Sequence, residues 1–225
     1  MIARTLGNSK PCIGIVACLH GDEPLGAHVL NKFLSISRGM AKLIIANEEA
    51  MEMQKRFLEA DLNRSFPGKA DGLHEERLAC ELLNALDGCD YVIDIHTTTA
   101  KTDPFVITTN CENRLVHYIP LKKVIYMSPI LASGKALIDF VSGVSLEYNE
   151  CHDADKIIDD IQKAVVNIAD DRKIYGQEFY KIYGKLEQGS NLVNFKWTSI
   201  AGEEFFPVLY GARSYAFSCL KAVRA

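Results

Sequence analysis

No apolar run in this 225-residue chain approaches the ~20 residues that cross a bilayer, so nothing in it predicts a membrane span. The opening stretch MIARTLGNSKPC lacks the apolar core of a signal peptide, so no export is expected. C-x-x-C pairs are missing as well. The seven cysteines (Cys12, Cys18, Cys80, Cys89, Cys111, Cys151 and Cys219) form an odd, scattered set. In a chain of this size such a set reads as reduced thiols in a cytoplasmic location. Positive charge is not in excess: 25 Lys and Arg face 29 Asp and Glu, a net charge of −4. That balance offers no footprint for nucleic acid, although a local basic pocket stays open. No internal repeat or low-complexity stretch is visible. The first apolar run ends in LHGDEPLG rather than G-x-G-x-x-G, which sets aside a dinucleotide-binding fold.

What is present is a chain 48% hydrophobic, enough for one substantial core and a small appended domain. Residues 12–19 (CIGIVACL) form a short, partly β-branched apolar run suited to a strand buried on both faces. HGDEP follows, and acids before Pro24 mark a helix start leading into helical periodicity over 25–36. Further strands are predicted at 41–47, 91–96 (YVIDIH), 104–109, 122–128 and 143–148 (GVSLEY). Helices are predicted at 74–86, 136–140 and 153–169, the last capped by Asp153 or Asp155. Between 61 and 72, Pro67-Gly68 and Asp71-Gly72 are turn signals. The fold class expected is α/β, a mostly parallel mixed sheet with helices on both faces, over residues 1–171. Over 172–225, aromatic and β-branched alternation at 178–186, 194–200 and 204–210 predicts a small antiparallel β-module covering the active-site edge.

His20 and Glu23 stand three apart where an apolar strand gives way to a helix, the place where open α/β sheets form their ligand crevice. Alone the pair is also what an exposed helix cap looks like. His96 ends another apolar strand and should emerge at the same sheet edge. Two imidazoles and a carboxylate with an open fourth position make a common catalytic zinc shell. Asp94 shares a strand face with His96. It can either accept a proton from the free nitrogen of a ligating imidazole or serve as an ordinary buried partner of a backbone amide. Glu147, in VSLEY, is a charge where charge is costly unless paired or used. It reads as a general base and acid beside the metal, or as a salt-bridged strand carboxylate. Arg56, Asn63 and Arg64 offer guanidinium forks and a neutral donor for carboxylate and oxyanion, or they are surface groups. Cys18, two residues before His20, can approach the site. His28, His74, His117 and His152 read as ordinary structural or surface histidines.

HGDE, DLNRSFPG, DIHTT and SLEYN, in that order, resemble the succinylglutamate desuccinylase/aspartoacylase family, related in fold to the zinc carboxypeptidases. The likeness runs from about Ile13 to Tyr215. The resemblance implies one zinc per chain on His20, Glu23 and His96, with Glu147 as general base and acid. It also implies that Arg56 polarises the scissile carbonyl, that Asn63 and Arg64 bind an α-carboxylate, and that Tyr215, in PVLYGARSY, contacts substrate. The implied reaction is hydrolysis of an N-acyl amino acid, with no nucleic-acid or membrane partner and a homodimer left open. Two departures stand out. Aspartoacylases carry an arginine shortly before the catalytic glutamate, whereas 133–144 offers only Lys135. The C-terminal module is also short, which predicts a more open pocket. The rival readings are a metallocarboxypeptidase or amidase acting on a small peptide, and a non-catalytic metal- or metabolite-binding domain.

Overall fold

The computed structural model describes residues 1–129 and 134–225; Ser133, at the start of the stretch scanned for a second cation, lies outside the described residues. The run CIGIVACL becomes β2 (Cys12–Ala17), all six residues of which are buried. A strand without a polar face needs cover on both sides and neighbours on both edges. β2 has them: it is parallel to β3 (Met40–Ile45) on one side and to β4 (Tyr91–Thr98) on the other. β4 is in turn parallel to β7 (Gly143–Asn149). β5 (Phe105–Thr108) runs antiparallel to β7 and parallel to β6 (Lys123–Tyr126).

Helices α1 (Pro24–Lys32) and α4 (Ala154–Ala169) pack together on one face of this sheet, and α3 (His74–Ala85) covers the other. α4 buries Ile157, Ile161, Ala164, Val165 and Ile168, one stripe at helical spacing. Asp153 caps it by accepting from the Asp155 N–H. The two core clusters follow strand alternation: Ile13, Ile15, Ala17, Ile93 and Ile95 face α1 and α4. Val16, Ile44 and Val92 face α3.

From residue 172 onward the chain adds β8 (Glu178–Leu186), β9 (Thr198–Ile200), β10 (Glu203–Val208) and β11 (Cys219–Arg224). β8 is parallel to β6, so these strands extend the same sheet, and the β8–β11–β10–β9 ladder is antiparallel. The α/β class with a C-terminal antiparallel portion therefore holds.

Four local expectations differ. An edge strand, β1 (Ile2–Gly7), pairs antiparallel with β3 although its residues are mostly exposed, so it carries no buried-strand pattern to read. β11 has a mixed pattern and was not predicted. The 194–200 strand shrinks to Thr198–Ile200, because Asn194 uses its side chain to bond the Tyr210 backbone instead. The 136–140 helix is one 3-10 turn, Leu137–Asp139. The short helix α2 (Glu48–Glu52), capped by Asn47, and a 3-10 turn, Leu62–Arg64, complete the described elements that bear on the site. No helix among the described residues is long and apolar enough to cross a membrane.

Replacing Ile161 by Ala should remove about 2–5 kcal/mol of stability in urea unfolding, because the sheet-facing side of α4 cannot collapse onto the gap. Lys163→Ala, on the exposed side of the same helix, should stay within about 0.5 kcal/mol. Equal effects would mean that α4 does not pack as described.

Candidate active site

The chain leaves β2 through Cys18, whose φ of 57° turns it sharply, and reaches His20 within two residues. The Asn47 N–H donates to the Cys18 carbonyl at 2.9 Å, holding that turn against the end of β3. Gly21 then passes so close to the end of α2 that a Cβ would collide with the Ala50–Met51 backbone and the Lys55 carbonyl oxygen. Its N–H donates to the Arg56 carbonyl at 3.0 Å, which ties the Arg56 loop to His20. Glu23 sits at the N-terminal boundary of α1, before Pro24 in the first turn.

From the other side, parallel pairing puts His96 opposite Glu147 and Asp94 opposite Ser145. All four side chains therefore share the α3 face of the sheet. His20, Glu23, His96 and Glu147 are each under a tenth exposed, and Asp94 is fully buried.

Glu23 is the hub. Its Oε1 lies 2.8 Å from His20 Nδ1, its Oε2 lies 3.2 Å from His96 Nδ1, and Oε2 also accepts the Thr97 N–H at 2.9 Å. The far nitrogen of each ring faces another carboxylate: His20 Nε2 is 3.1 Å from Asp61 Oδ1, and His96 Nε2 is 2.7 Å from Asp94 Oδ2. A carboxylate only accepts, so in the tautomer that suits Asp61 and Asp94 the ring hydrogens sit on Nε2. Neutral rings would then turn two bare Nδ1 lone pairs toward Glu23. Acceptor facing acceptor at these distances repels unless a proton or a cation lies between them.

His20, Glu23 and His96 form the one metal-capable cluster among the described residues, with ligand atoms all within 4.8 Å of one another. This donor set, two imidazoles and one carboxylate, fits a divalent transition metal with a position left open.

The protonation tendencies agree. Burial pushes both imidazoles down. Glu23 and Asp61 around His20 outweigh that effect, as do Asp94 and Glu23 around His96, so both rings stay above the ordinary imidazole range and His96 well above it. Burial would raise Glu23, yet the two rings hold it below the usual carboxylate range. Among the described residues Glu147 has no such partner within bonding reach. Burial pushes its carboxyl up to about 8, with His96 pulling it down and Glu23 pushing it up.

Around this hub lie Arg56, Asn63, Arg64 and Tyr215. Arg56 Nη1 is 3.4 Å from Glu23 Oε1, and Nη2 is 2.9 Å from His20 Nε2 and 3.6 Å from Asp61. Asn63 accepts the Leu137 N–H on its Oδ1, which leaves its NH2 group toward His96, 3.4 Å from Nε2. Tyr215 stacks on Phe217, and burial raises its phenol to about 12. A single cavity is lined by His20, Glu23, His96 and Glu147 together with Arg56, Asn63, Arg64 and Tyr215.

A catalytic-domain model of the succinylglutamate desuccinylase/aspartoacylase family matches residues 9–118. Over that stretch, just under half of its length, the chain is similar to that family. A probable aspartoacylase from Trichodesmium erythraeum is 28% identical over 134 residues, spanning 52% of this chain and 44% of the relative. An N-acyl-aromatic-L-amino acid amidohydrolase (carboxylate-forming) from Rattus norvegicus is 26% identical over 141 residues, again spanning 52% of this chain and 44% of the relative. The matched stretch is thus less than half the length of either. The crystal structure of murine aminoacylase 3 superposes with a TM-score of 0.73 at 18% identity, covering 97% of both chains, which makes the fold that of the family.

Within this family fold, the residues singled out in the sequence come together, while others do not. Cys18 is buried with its thiol on the Glu23 carbonyl, 3.4 Å away, and does not line the cavity. Lys135 is exposed and does not line it either. His117 lies tilted against Phe179 and His152 against Tyr148. Asp94 bonds His96 and Ser145 through Oδ2, and its Oδ1 is buried without a partner.

Two residues were missed. Asp61 opens the D-L-N-R string, and that position was the available signal for it. Glu75 is fully buried, and its clue is helical spacing: Leu78 and Ala79 lie three and four residues on, so Glu75 falls on the apolar face of α3. Glu75 accepts the N–H groups of Leu58, Glu59 and Ala60 at 2.6–3.0 Å and the Asn47 amide at 3.1 Å. It thereby holds the loop between Arg56 and Asp61.

Burial works to raise the Glu75 carboxyl, but the three backbone N–H bonds and Asn47 outweigh it and hold the group low. A carboxylate depressed in the folded state stabilises above its unfolded pKa of about 4.3, and that contribution is lost as pH falls through the folded value. Glu75→Gln should therefore cost about 1–3 kcal/mol at pH 7. The gap from wild type should narrow progressively below about pH 4.3. Urea midpoints across that range measure it, and a pH-independent gap would rule out an ionised Glu75.

Proposed function

We propose that this chain is a zinc-dependent hydrolase of the amide bond in an N-acyl amino acid, releasing a carboxylic acid and a free amino acid. The observation that carries the reading is the convergence of two imidazole Nδ1 atoms on Glu23, with Glu147 in register beside His96 in the same cavity. The match to the family's catalytic domain over residues 9–118, and the amide-cleaving activity in the name of the rat relative, support it. His20, Glu23 and His96 would hold the zinc, which when bound supplies a Lewis acid and acidified water.

The rest falls to the chain's own side chains. Arg64 and the Asn63 NH2 group bind the α-carboxylate through charge-assisted hydrogen bonds. The Arg56 guanidinium, half-buried at the cavity wall, stabilises the charge that grows on the carbonyl oxygen. The Glu147 carboxylate takes a proton from the attacking water and delivers it to the leaving nitrogen. Burial raises its carboxyl, which makes Glu147 a stronger base toward the water proton than an exposed glutamate would be and lets it carry that proton to the more basic leaving nitrogen. Residues 172–225 act as a rim, bringing Ser214 and Tyr215 to the cavity mouth.

Glu147→Gln should keep its zinc and lose turnover by about 10²–10⁴-fold in an N-acyl amino acid assay; full activity would remove Glu147 from the reaction. Metal analysis should find one zinc per chain, and His96→Ala should lower zinc affinity. Zinc added to chelator-treated protein in weak buffer should also release protons, because both Nδ1 atoms must be bare to ligate. Uptake with no proton release would place the metal elsewhere.

A further inference from the structure

We infer that the site selects a singly charged N-acyl amino acid, whose only anionic group is the α-carboxylate and whose side chain and acyl group are uncharged and apolar. The inference rests on the function proposed above and adds a substrate class to it.

Apart from the two imidazoles, the described residues lining the cavity include two cations, Arg56 and Arg64. They are not equivalent. Arg56 is already surrounded by carboxylates: Glu23 at 3.4 Å, Asp61 at 3.6 Å and Asp22 at 3.9 Å. Arg64 makes no ion pair among the described residues, and its Nη1 donates to the Asn63 carbonyl at 2.7 Å. One guanidinium is therefore free to take one carboxylate.

The rest of the lining carries no cation among the described residues, and part of it is apolar: Ile107, Met127, Ala136 and Ile138. Ile107 pairs with Ser145 across β5 and β7 and so stands on the same sheet face as Glu147. Met127 follows β6, with its N–H on the Thr108 carbonyl at 2.9 Å, and Ala136 and Ile138 close the wall as buried residues. A second substrate carboxylate placed against this wall would lose its water, find no cation, and face Glu147. An apolar side chain or acyl group would bury its surface there at no such cost.

The test is binding as well as turnover. Calorimetry on zinc-loaded Glu147→Gln protein compares N-acetylmethionine and N-acetylleucine with N-acetylaspartate and N-succinylglutamate. The singly charged ligands should bind at least about tenfold more tightly. Wild-type kcat/KM on the same panel should rank the same way. Ile107→Arg and Met127→Arg each place a cation in the wall, and either should narrow or invert the ratio toward N-acetylaspartate. Equal or tighter binding of N-acetylaspartate to the Glu147→Gln protein would overturn the inference, and so would the absence of binding by any member of the panel. Binding in the expected order without wild-type turnover would instead defeat the proposed hydrolase and leave the selectivity standing.

Discussion

The whole site turns on one carboxylate shared by two rings. Glu23 is 8% exposed, sits at the start of a helix, and has an imidazole Nδ1 against each of its oxygens. A buried anion in that position needs compensation, and it is compensated from outside inward: Asp61 and Asp94 orient the rings through Nε2, and the rings then converge on Glu23. Two imidazole Nδ1 atoms converging on one buried carboxylate, with each ring held at Nε2 by a further carboxylate, are the physical argument for a cation.

The sheet supplies this concentration of charge without losing its core. Strand alternation sends Ile93, Ile95, Val144 and Leu146 to the α1–α4 side, while Asp94, His96, Ser145 and Glu147 emerge on the α3 side. One face of two adjacent central strands is thus given over to polar work, and the opposite face carries the packing. Glu75 performs a related task at a distance. By collecting three backbone N–H groups it gives an irregular loop a fixed shape, so that Arg56 and Asp61 reach His20 from a segment with no ladder of its own.

Glu147 and the histidines show why environment outweighs residue type. Glu23 and Glu147 are both buried glutamates lining one cavity. The first touches two imidazoles and is held ionised, while the second has no cationic partner in bonding reach among the described residues and has its carboxyl pushed to about 8. Groups driven apart in this way can divide the labour of ligand and proton carrier.

The sequence by itself determined the buried strands, the long amphipathic helix and the metal-capable trio. Continuous apolar runs, 3.6-residue spacing and polar residues placed at strand ends are local signals that survive without any knowledge of neighbours. β1, β11, and the roles of Asp61 and Glu75 were decided only by tertiary structure. An edge strand exists because its partner is there, and it need not carry a pattern of its own. Whether Glu75 is a surface acid or a clamp depends on which loop folds over it. Whether Arg56 is a solvated charge or part of the cavity depends on Gly21 letting two backbones touch. Those outcomes are set by what meets in space, and spacing along the chain carries no record of it.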